Sequence, residues 1–282
     1  MKVLLTGADG QLGRALQDAL GPGHDLAAYG RQALDIRRRE SIQSALDASR
    51  PDVVINAAAF TDVDGAETNS LAAYAVNALG VQHLAAATAS RGLALVHLST
   101  DYVFDGAADR PYHEFDRPNP LSVYGKSKLA GEQALCRLNP RHYLIRTAWL
   151  YHVIGKNFAR RICALSGQPE VCVVNDRYGS PTYAPHLAAA IARLIQTGAY
   201  GTYHLAGAGG ATWFAFAKAL YQSLGLGDHL TPVVSGHFLQ PAQRPRYAVL
   251  TSLSADEFIL PPWQEGVREF ALAFAMSRQV RA

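Results

Sequence analysis

The chain opens with Lys2-Val3-Leu4-Leu5-Thr6-Gly7-Ala8-Asp9-Gly10-Gln11-Leu12-Gly13, an apolar run that breaks into glycines and resumes as a different pattern. Val3-Leu4-Leu5 has the length of a strand. From Gln11 to Leu20 the apolar residues Leu12, Ala15, Leu16 and Ala19 recur at helical spacing. The glycines, spaced GxxGxxG, fall at the turn between the two, where they permit tight backbone geometry and close approach of a pyrophosphate to a helix N-terminus. Glycine spacing alone is a weak signal. As the first strand of a strand-helix-strand series it has the context that dinucleotide binding needs, which makes Gly7, Gly10, Gln11, Leu12 and Gly13 candidate cofactor contacts.

The alternation continues outward. Asp25 to Tyr29 reads as a strand, Glu40 to Ala48 as a helix, Val53 to Asn56 as a strand, Leu71 to Arg91 as a long helix and Ala94 to Ser99 as a strand. A helix from about Ser122 to Leu138 and a strand from Tyr143 to Arg146 follow. Strands separated by helices of this length pair in parallel through right-handed crossovers. The expected architecture is therefore α/β, a Rossmann-type doubly wound parallel sheet over about residues 1–150. Beyond Trp149 glycine and proline become frequent, and residues 151–282 read as a smaller, interleaved substrate-binding lobe. Within it, residues about 171–198, with the strand candidate Val171 to Val174 and a helix from about Ala184 to Gln196, are expected to return to the first sheet.

Composition narrows the class. Of 282 residues 49% are hydrophobic and 17% charged, which fits an ordinary globular protein and excludes disordered and fibrous classes. The net charge of +3, with no basic block longer than Arg37-Arg38-Arg39, argues against nucleic acid as an obligatory partner and suits a small anion. Cys136, Cys163 and Cys172 show neither disulfide-framework nor zinc spacing, so a reducing cytoplasm is expected and no metal. Met1-Lys2 leads directly into the first strand, and no apolar run approaches the roughly 18 residues of a membrane helix. Neither export nor a membrane partner is expected.

The choice between nicotinamide cofactors rests on the end of the second strand, where a carboxylate accepts hydrogen bonds from a ribose 2′-hydroxyl and an arginine pairs a 2′-phosphate. The strand ends at Tyr29-Gly30-Arg31. Arg31 points to NADPH, with NADH left open; Asp35, several residues past the strand, is expected with Ile36 on the adenine side. Ala57-Ala58-Ala59 closes the third strand with small residues that suit close passage of a cofactor. Tyr124 and Lys128 stand at i and i+4, on one helix face and about 6 Å apart along the axis. An ammonium beside a tyrosine stabilises phenolate and lowers its pKa, so the pair can exchange a proton with a carbonyl or hydroxyl. Upstream, Leu98-Ser99-Thr100-Asp101 ends a strand at the sheet edge where such folds place ligands.

A strand-end hydroxyl combined with helical YxxxK resembles the extended short-chain dehydrogenase/reductase superfamily. More narrowly, the chain resembles the dTDP-4-dehydrorhamnose reductase family through Pro51 to Ala59, Ser99 to Gly106, Tyr124 to Glu132, Arg146 to Tyr151, Gly155-Lys156-Asn157-Phe158, Asp176 to Thr182 and Gly201 to His204. The resemblance implies reduction of the C4 ketone of dTDP-4-dehydro-L-rhamnose by NAD(P)H, the last step of dTDP-L-rhamnose synthesis. It makes Tyr124 the general acid and Lys128 the holder of the nicotinamide ribose. Thr100 takes the place of the usual serine. Asp101, Trp149 and Asn157 would face the nucleotide-sugar, with Thr61 and Val63 nearby; Trp213 and Trp263 match no site motif and read as core.

Departures accompany the match. Ala248 stands in Arg244-Pro245-Arg246-Tyr247-Ala248-Val249-Leu250 where the family has serine, and Arg177 where glutamine is common. No Asp or Glu follows Glu269, so the acidic C-terminal residues of metal-bridged dimers are missing, and monomer and homodimer both stay open. A sugar-nucleotide 4,6-dehydratase or 4-epimerase shares the cofactor motif and YxxxK, but the dehydratase usually carries an acid straight after the Thr-Asp pair, where this chain has Tyr102, and both tend to have longer substrate domains than the one after Trp149. A non-catalytic regulatory subunit of the same resemblance would fit a degraded catalytic set, and here the set is intact.

Overall fold

The computed structural model describes residues 1–227, 229–253 and 256–279. Its first half alternates β1 (Lys2–Thr6), α1 (Gln11–Leu20), β2 (Asp25–Tyr29), α2 (Arg39–Ser49) and β3 (Val53–Asn56). Short helices α3 (Val63–Thr68) and α4 (Ser70–Tyr74), a π-helical segment (Ala75–Gly80) and α5 (Val81–Ala89) lead to β4 (Ala94–Thr100), α6 (Val123–Leu138) and β5 (His142–Thr147). The strands form a six-stranded sheet of order β10-β5-β4-β3-β1-β2, all pairs parallel, with β10 (Gly201–His204) arriving late in the chain.

Helices cover both faces, which is why the strands are apolar runs and not alternating ones. On one face Leu12, Leu16 and Leu20 of α1 pack with Leu187 and Ile191 of α8 (Ala184–Leu194); on the other Ile42, Leu46, Leu84 and Leu135 cover Leu4, Val54 and Leu95. Leu16 and Leu20 are completely buried, each worth about 1.5–3 kcal/mol relative to exposure. The strand order reverses between β1 and β3, and their carboxyl ends open a crevice there, the usual ligand position of an open α/β sheet.

The long helix expected from Leu71 is interrupted by the π segment. Asn77 lies buried within it. Its amide donates to the Phe60 carbonyl at 3.0 Å and to Ser127 Oγ at 3.0 Å, and accepts from the Phe60 amide at 2.8 Å. The π segment thus carries one buried amide that bridges the β3 loop and α6.

The second lobe is built from β6 (Leu150–Tyr151), α7 (Phe158–Ala164), β7 (Val171–Val174), β8 (Tyr178–Gly179), β9 (Thr182–Tyr183), β11 (Ala211–Thr212), α9 (Trp213–Leu224), β12 (Leu230–Val233) and α10 (Trp263–Gln279). One expectation is corrected here. Val171 to Val174 does not return to the six-stranded sheet but pairs in parallel with β12, because Val171 and Val173 complete a separate core with Ile162, Leu220 and Phe216. The chain re-enters the first unit through α8, which covers α1, and β10, which pairs with β5. No described helix is long and apolar enough to cross a membrane, and among the described residues no cluster of His, Cys, Asp or Glu could hold a metal ion.

Candidate active site

A continuous cleft of about 1640 Å³ runs from the glycine turn to the second lobe. It is larger than the roughly 300–1,000 Å³ of a single small-molecule pocket, and so has room for two ligands. At one end Gly7 has φ +69°, and a Cβ there would lie 2.6 Å from the Ala58 nitrogen; β1 and β3 can approach this closely only through glycine. Gly10 caps α1 with no side chain on the first-turn amides and no acidic residue in that turn. Free N–H groups at a helix N-terminus are a ready site for a pyrophosphate. Gly7, Gly10, Gln11, Leu12 and Gly13 line this end with Ala57, Ala58 and Ala59.

Arg31 lies exposed on the cleft wall. Asp35 lines the cleft too, but its carboxylate is gripped by Arg37, Nε to Oδ1 at 2.9 Å and Nη2 to Oδ2 at 2.6 Å, which holds its pKa below the usual carboxylate value. Ile36 turns inward, buried against Gly80. Arg37 was not singled out by sequence, although its place two residues after Asp35 was the available signal.

At the other end, β4 delivers Thr100 and Asp101 and α6 delivers Tyr124 and Lys128. Ser122 starts α6 by accepting from the Gly125 amide at 3.1 Å, a common N-cap. The helical period then lines up Tyr124, Lys128 and Glu132 beneath the ends of β4 and β5. Thr100 Oγ1 donates to Asp101 Oδ1 at 3.0 Å, accepts from the Tyr102 amide at 3.2 Å and reaches the Tyr124 phenol. Lys128, only 2% exposed, donates to the Leu98 carbonyl. Glu132 is bound by Arg146 at 2.7 Å and by Ser99, a buried ion pair that anchors the helix to the sheet.

The expected depression of the Tyr124 pKa is not found. Burial pushes the phenol well above its ordinary value; the Thr100 hydrogen bond opposes this, while Asp101 and Tyr102 add to it. Burial also lowers Lys128 to about 8, with Glu132 opposing. The physical reason is that desolvation disfavours both charged forms, and the Lys128 amine is turned to Leu98. Tyr124 is thus held as the phenol, the form that can give up a proton.

Two buried oxygens at the cleft, Asp101 Oδ2 and Thr147 Oγ1, have no hydrogen-bond partner. Buried polar atoms are normally paired, so these two are exceptions, and burial raises Asp101 to about 7. Trp149 has φ +44° and lies flat on Trp213, with ring centroids 3.5 Å apart and planes 8° apart. A Cβ on Gly179 would come within 2.3 Å of the Trp149 ring. Trp213, expected in the core, packs against the second core through Phe158 and Phe216, but it is half-buried and also lines the cleft, because it opens α9 facing Trp149. Trp263 is buried in the second core.

Asn157 lines the cleft, but its amide nitrogen serves Gln11 Oε1 at 2.8 Å and the His152 carbonyl at 2.7 Å, and its oxygen caps α7 at the Arg160 amide at 3.0 Å. It joins the glycine turn to the second lobe. Thr61 and Val63 sit on the wall beyond the alanines. Arg244, which the sequence offers only within its Arg-Pro motif, lines the cleft, forms a two-pronged ion pair with Asp64 at 2.7 and 3.0 Å and reaches the Tyr102 hydroxyl. Nothing in the structure explains why Arg177 replaces glutamine; Ala248 is simply buried.

A doubly wound sheet with a glycine turn at its switch point and a threonine, tyrosine and lysine at one strand end defines a nicotinamide-dependent oxidoreductase of the extended short-chain dehydrogenase/reductase class. The chain belongs to the dTDP-4-dehydrorhamnose reductase family: the RmlD substrate binding domain model matches residues 1–276. It is 44% identical over 262 residues to a dTDP-4-dehydrorhamnose reductase of Mycobacterium tuberculosis, covering 89% of this chain and 85% of that one. It is 40% identical over 277 residues to a dTDP-4-keto-6-deoxy-D-glucose reductase of Streptomyces niveus, covering 97% of this chain and 96% of that one. The crystal structure of a dTDP-4-dehydrorhamnose reductase from Bacillus anthracis in complex with NADP superposes with a TM-score of 0.94 at 38% identity, covering 97% of this chain and all (100%) of that one.

Proposed function

We infer that this protein reduces the C4 ketone of dTDP-4-dehydro-L-rhamnose to dTDP-L-rhamnose with NADPH, the closing step of dTDP-rhamnose synthesis. The observation that carries the reading is the meeting of Thr100, Tyr124 and Lys128 at the end of β4, between the glycine turn and the paired indoles of Trp149 and Trp213.

The uncapped start of α1 and the glycine turn would hold the cofactor's pyrophosphate, Ala57, Ala58 and Ala59 its flank, Arg31 its 2′-phosphate and Lys128 its nicotinamide ribose. When bound, the nicotinamide supplies the hydride. Tyr124 donates its phenol proton to the C4 oxygen as negative charge develops there, and an alkoxide is basic enough to take it even from a tyrosine with a raised pKa. Thr100, beside the Tyr124 phenol, would orient the carbonyl when its one hydroxyl hydrogen turns from Asp101. Asp101 Oδ2 and Thr147 Oγ1 offer hydrogen bonds to the sugar, and the flat face of Trp149 covers its apolar methyl side. Thr61 and Val63 flank the nucleotide-sugar, whereas Asn157 shapes the cleft through Gln11. Residues 1–150, with α8 and β10, act as the cofactor unit, and the rest as the substrate lobe.

The reading is tested by mixing the protein with NADPH and dTDP-4-dehydro-L-rhamnose. Loss of nicotinamide absorbance with formation of dTDP-L-rhamnose is expected. No turnover by protein that binds NADPH would refute it. A dTDP-4-keto-6-deoxy-D-glucose arm, suggested by the Streptomyces relative, checks specificity, and equal kcat/KM on both sugars would contradict the substrate assignment.

A further inference from the structure

Three buried side chains stand in line behind Lys128, and the steps above use none of them. Thr6 Oγ1 donates to Asn56 Oδ1 at 2.7 Å, and the Ala58 amide donates to the same oxygen at 3.2 Å. A backbone N–H can only donate, so Oδ1 is fixed as the acceptor and the Asn56 amide nitrogen faces His97 Nδ1 at 3.0 Å. That nitrogen donates and Nδ1 accepts. His97 is fully buried, and burial together with the Lys128 charge keeps it neutral, so its single hydrogen is on Nε2. Nε2 faces Lys128 Nζ at 3.5 Å. An ammonium has no lone pair to receive that hydrogen; a neutral amine has one.

We propose that His97, locked by Asn56 as the Nε2–H tautomer, is a positioning residue that stabilises the neutral amine of Lys128 and so sets how readily Lys128 gives up a proton in the tyrosine–lysine relay of its class. The proposal rests on the functional reading above. Once Tyr124 has given its proton to the substrate oxygen, a phenolate remains. Because the Lys128 amine is turned to Leu98, an N–H bond of the ammonium breaks and its proton passes to the phenolate oxygen through an intervening hydroxyl, while the electron pair stays on Nζ, where His97 Nε2–H meets it. Solvent then returns a proton to the amine.

The other groups around Lys128 do not take this role. Glu132 on the same helix favours the ammonium and is engaged by Arg146 from β5 and by Ser99. The Leu98 carbonyl of β4 accepts from Nζ in either state. Asp101 and Tyr102, on the turn after β4, act on Tyr124. Glu67 of α3 binds the Val123 amide at the start of α6.

The test compares the pH dependence of kcat for wild type, His97→Phe and His97→Gln, whose amide can present an N–H near the Nε2 position. Wild-type activity should fall at alkaline pH as Lys128 loses its proton. His97→Phe should move that limb up by roughly one pH unit, the size of one hydrogen bond to the amine, with a lower kcat near neutrality, and His97→Gln should retain the wild-type limb. A limb that stays in place while kcat falls at every pH, or that moves down, would overturn the proposal. Nitrogen NMR of the wild-type protein with NADP bound reads the tautomer without any variant having to fold. A proton on Nε2 and a bare Nδ1 are expected, and the reverse tautomer or an imidazolium at neutral pH would overturn the assignment. Wild-type protein that shows the expected tautomer but no turnover would instead count against the reductase reading.

Discussion

The two ends of the cleft are built on opposite plans. At the glycine turn the recognising groups are backbone amides and exposed arginines, and almost nothing ionisable is buried. At the junction of β4 and α6 the groups are side chains, and Thr100, Asp101, Lys128, His97 and Glu132 are all buried. The first end is proposed to bind an anion that must be released, for which solvent-exposed charge and helix-end donors suffice. The second must fix which atom holds a proton, which requires tautomers and pKa values set by burial and by neighbours.

If that contrast is right, damage at the second end should remove chemistry and damage at the first should shift binding. The largest effect is expected for Tyr124→Phe, which deletes the acid: kcat should fall by about 10²- to 10⁴-fold, while the NADPH dissociation constant measured by fluorescence stays nearly unchanged. Trp213→Ala, which removes the stacking partner of Trp149, should lower kcat/KM by roughly 10- to 100-fold, mostly through KM, a loss comparable to one apolar specificity contact. Steady-state kinetics would show whether Trp213 belongs to the substrate wall; an unchanged KM would return it to the core. Arg31→Ala should reduce the preference for NADPH over NADH by about tenfold, in keeping with one lost charge-assisted hydrogen bond, and leave kcat with NADH alone. An unaltered preference would retire Arg31 in favour of Arg37.

The smallest effect is one of stability. Asp101 is raised from 3.8 to about 7, so the favourable contribution of its protonated form is complete below about pH 4 and is lost as pH rises through about 7. Asp101→Asn, which cannot ionise, should therefore melt several degrees above wild type at pH 8, with the gap closing toward pH 4. A gap independent of pH, measured by thermal denaturation, would mean that Asp101 is not titrating.

The same contrast explains what was legible in the sequence. Strand and helix alternation, the glycine spacing and the i, i+4 pair of Tyr124 and Lys128 are local patterns, and the cofactor end consists of little else. His97 and Asn56 lie 41 residues apart in sequence; inside apolar strands each reads as an interruption, and only the pairing of β3 with β4 sets them side by side. Trp213 reads as core in the sequence because nothing local shows that α9 starts against Trp149. Val171 to Val174 has the composition of a sheet strand, and which sheet it joins was decided by a second core with residues more than 40 positions away, at Phe216 and Leu220. The direction of the Tyr124 shift was missed for a related reason: spacing reveals a neighbouring ammonium but not the depth at which both groups are buried.

On the proposed function, the junction of β4 and α6 carries out reduction at C4 of the sugar. Turnover with NADPH deuterated at the transferable position of its nicotinamide, followed by NMR of the nucleotide-sugar, tests it most directly. Deuterium at C4 of dTDP-L-rhamnose, formed by wild type and abolished in Tyr124→Phe, is the predicted result. Label at any other carbon, or consumption of the cofactor without labelled sugar, would contradict it.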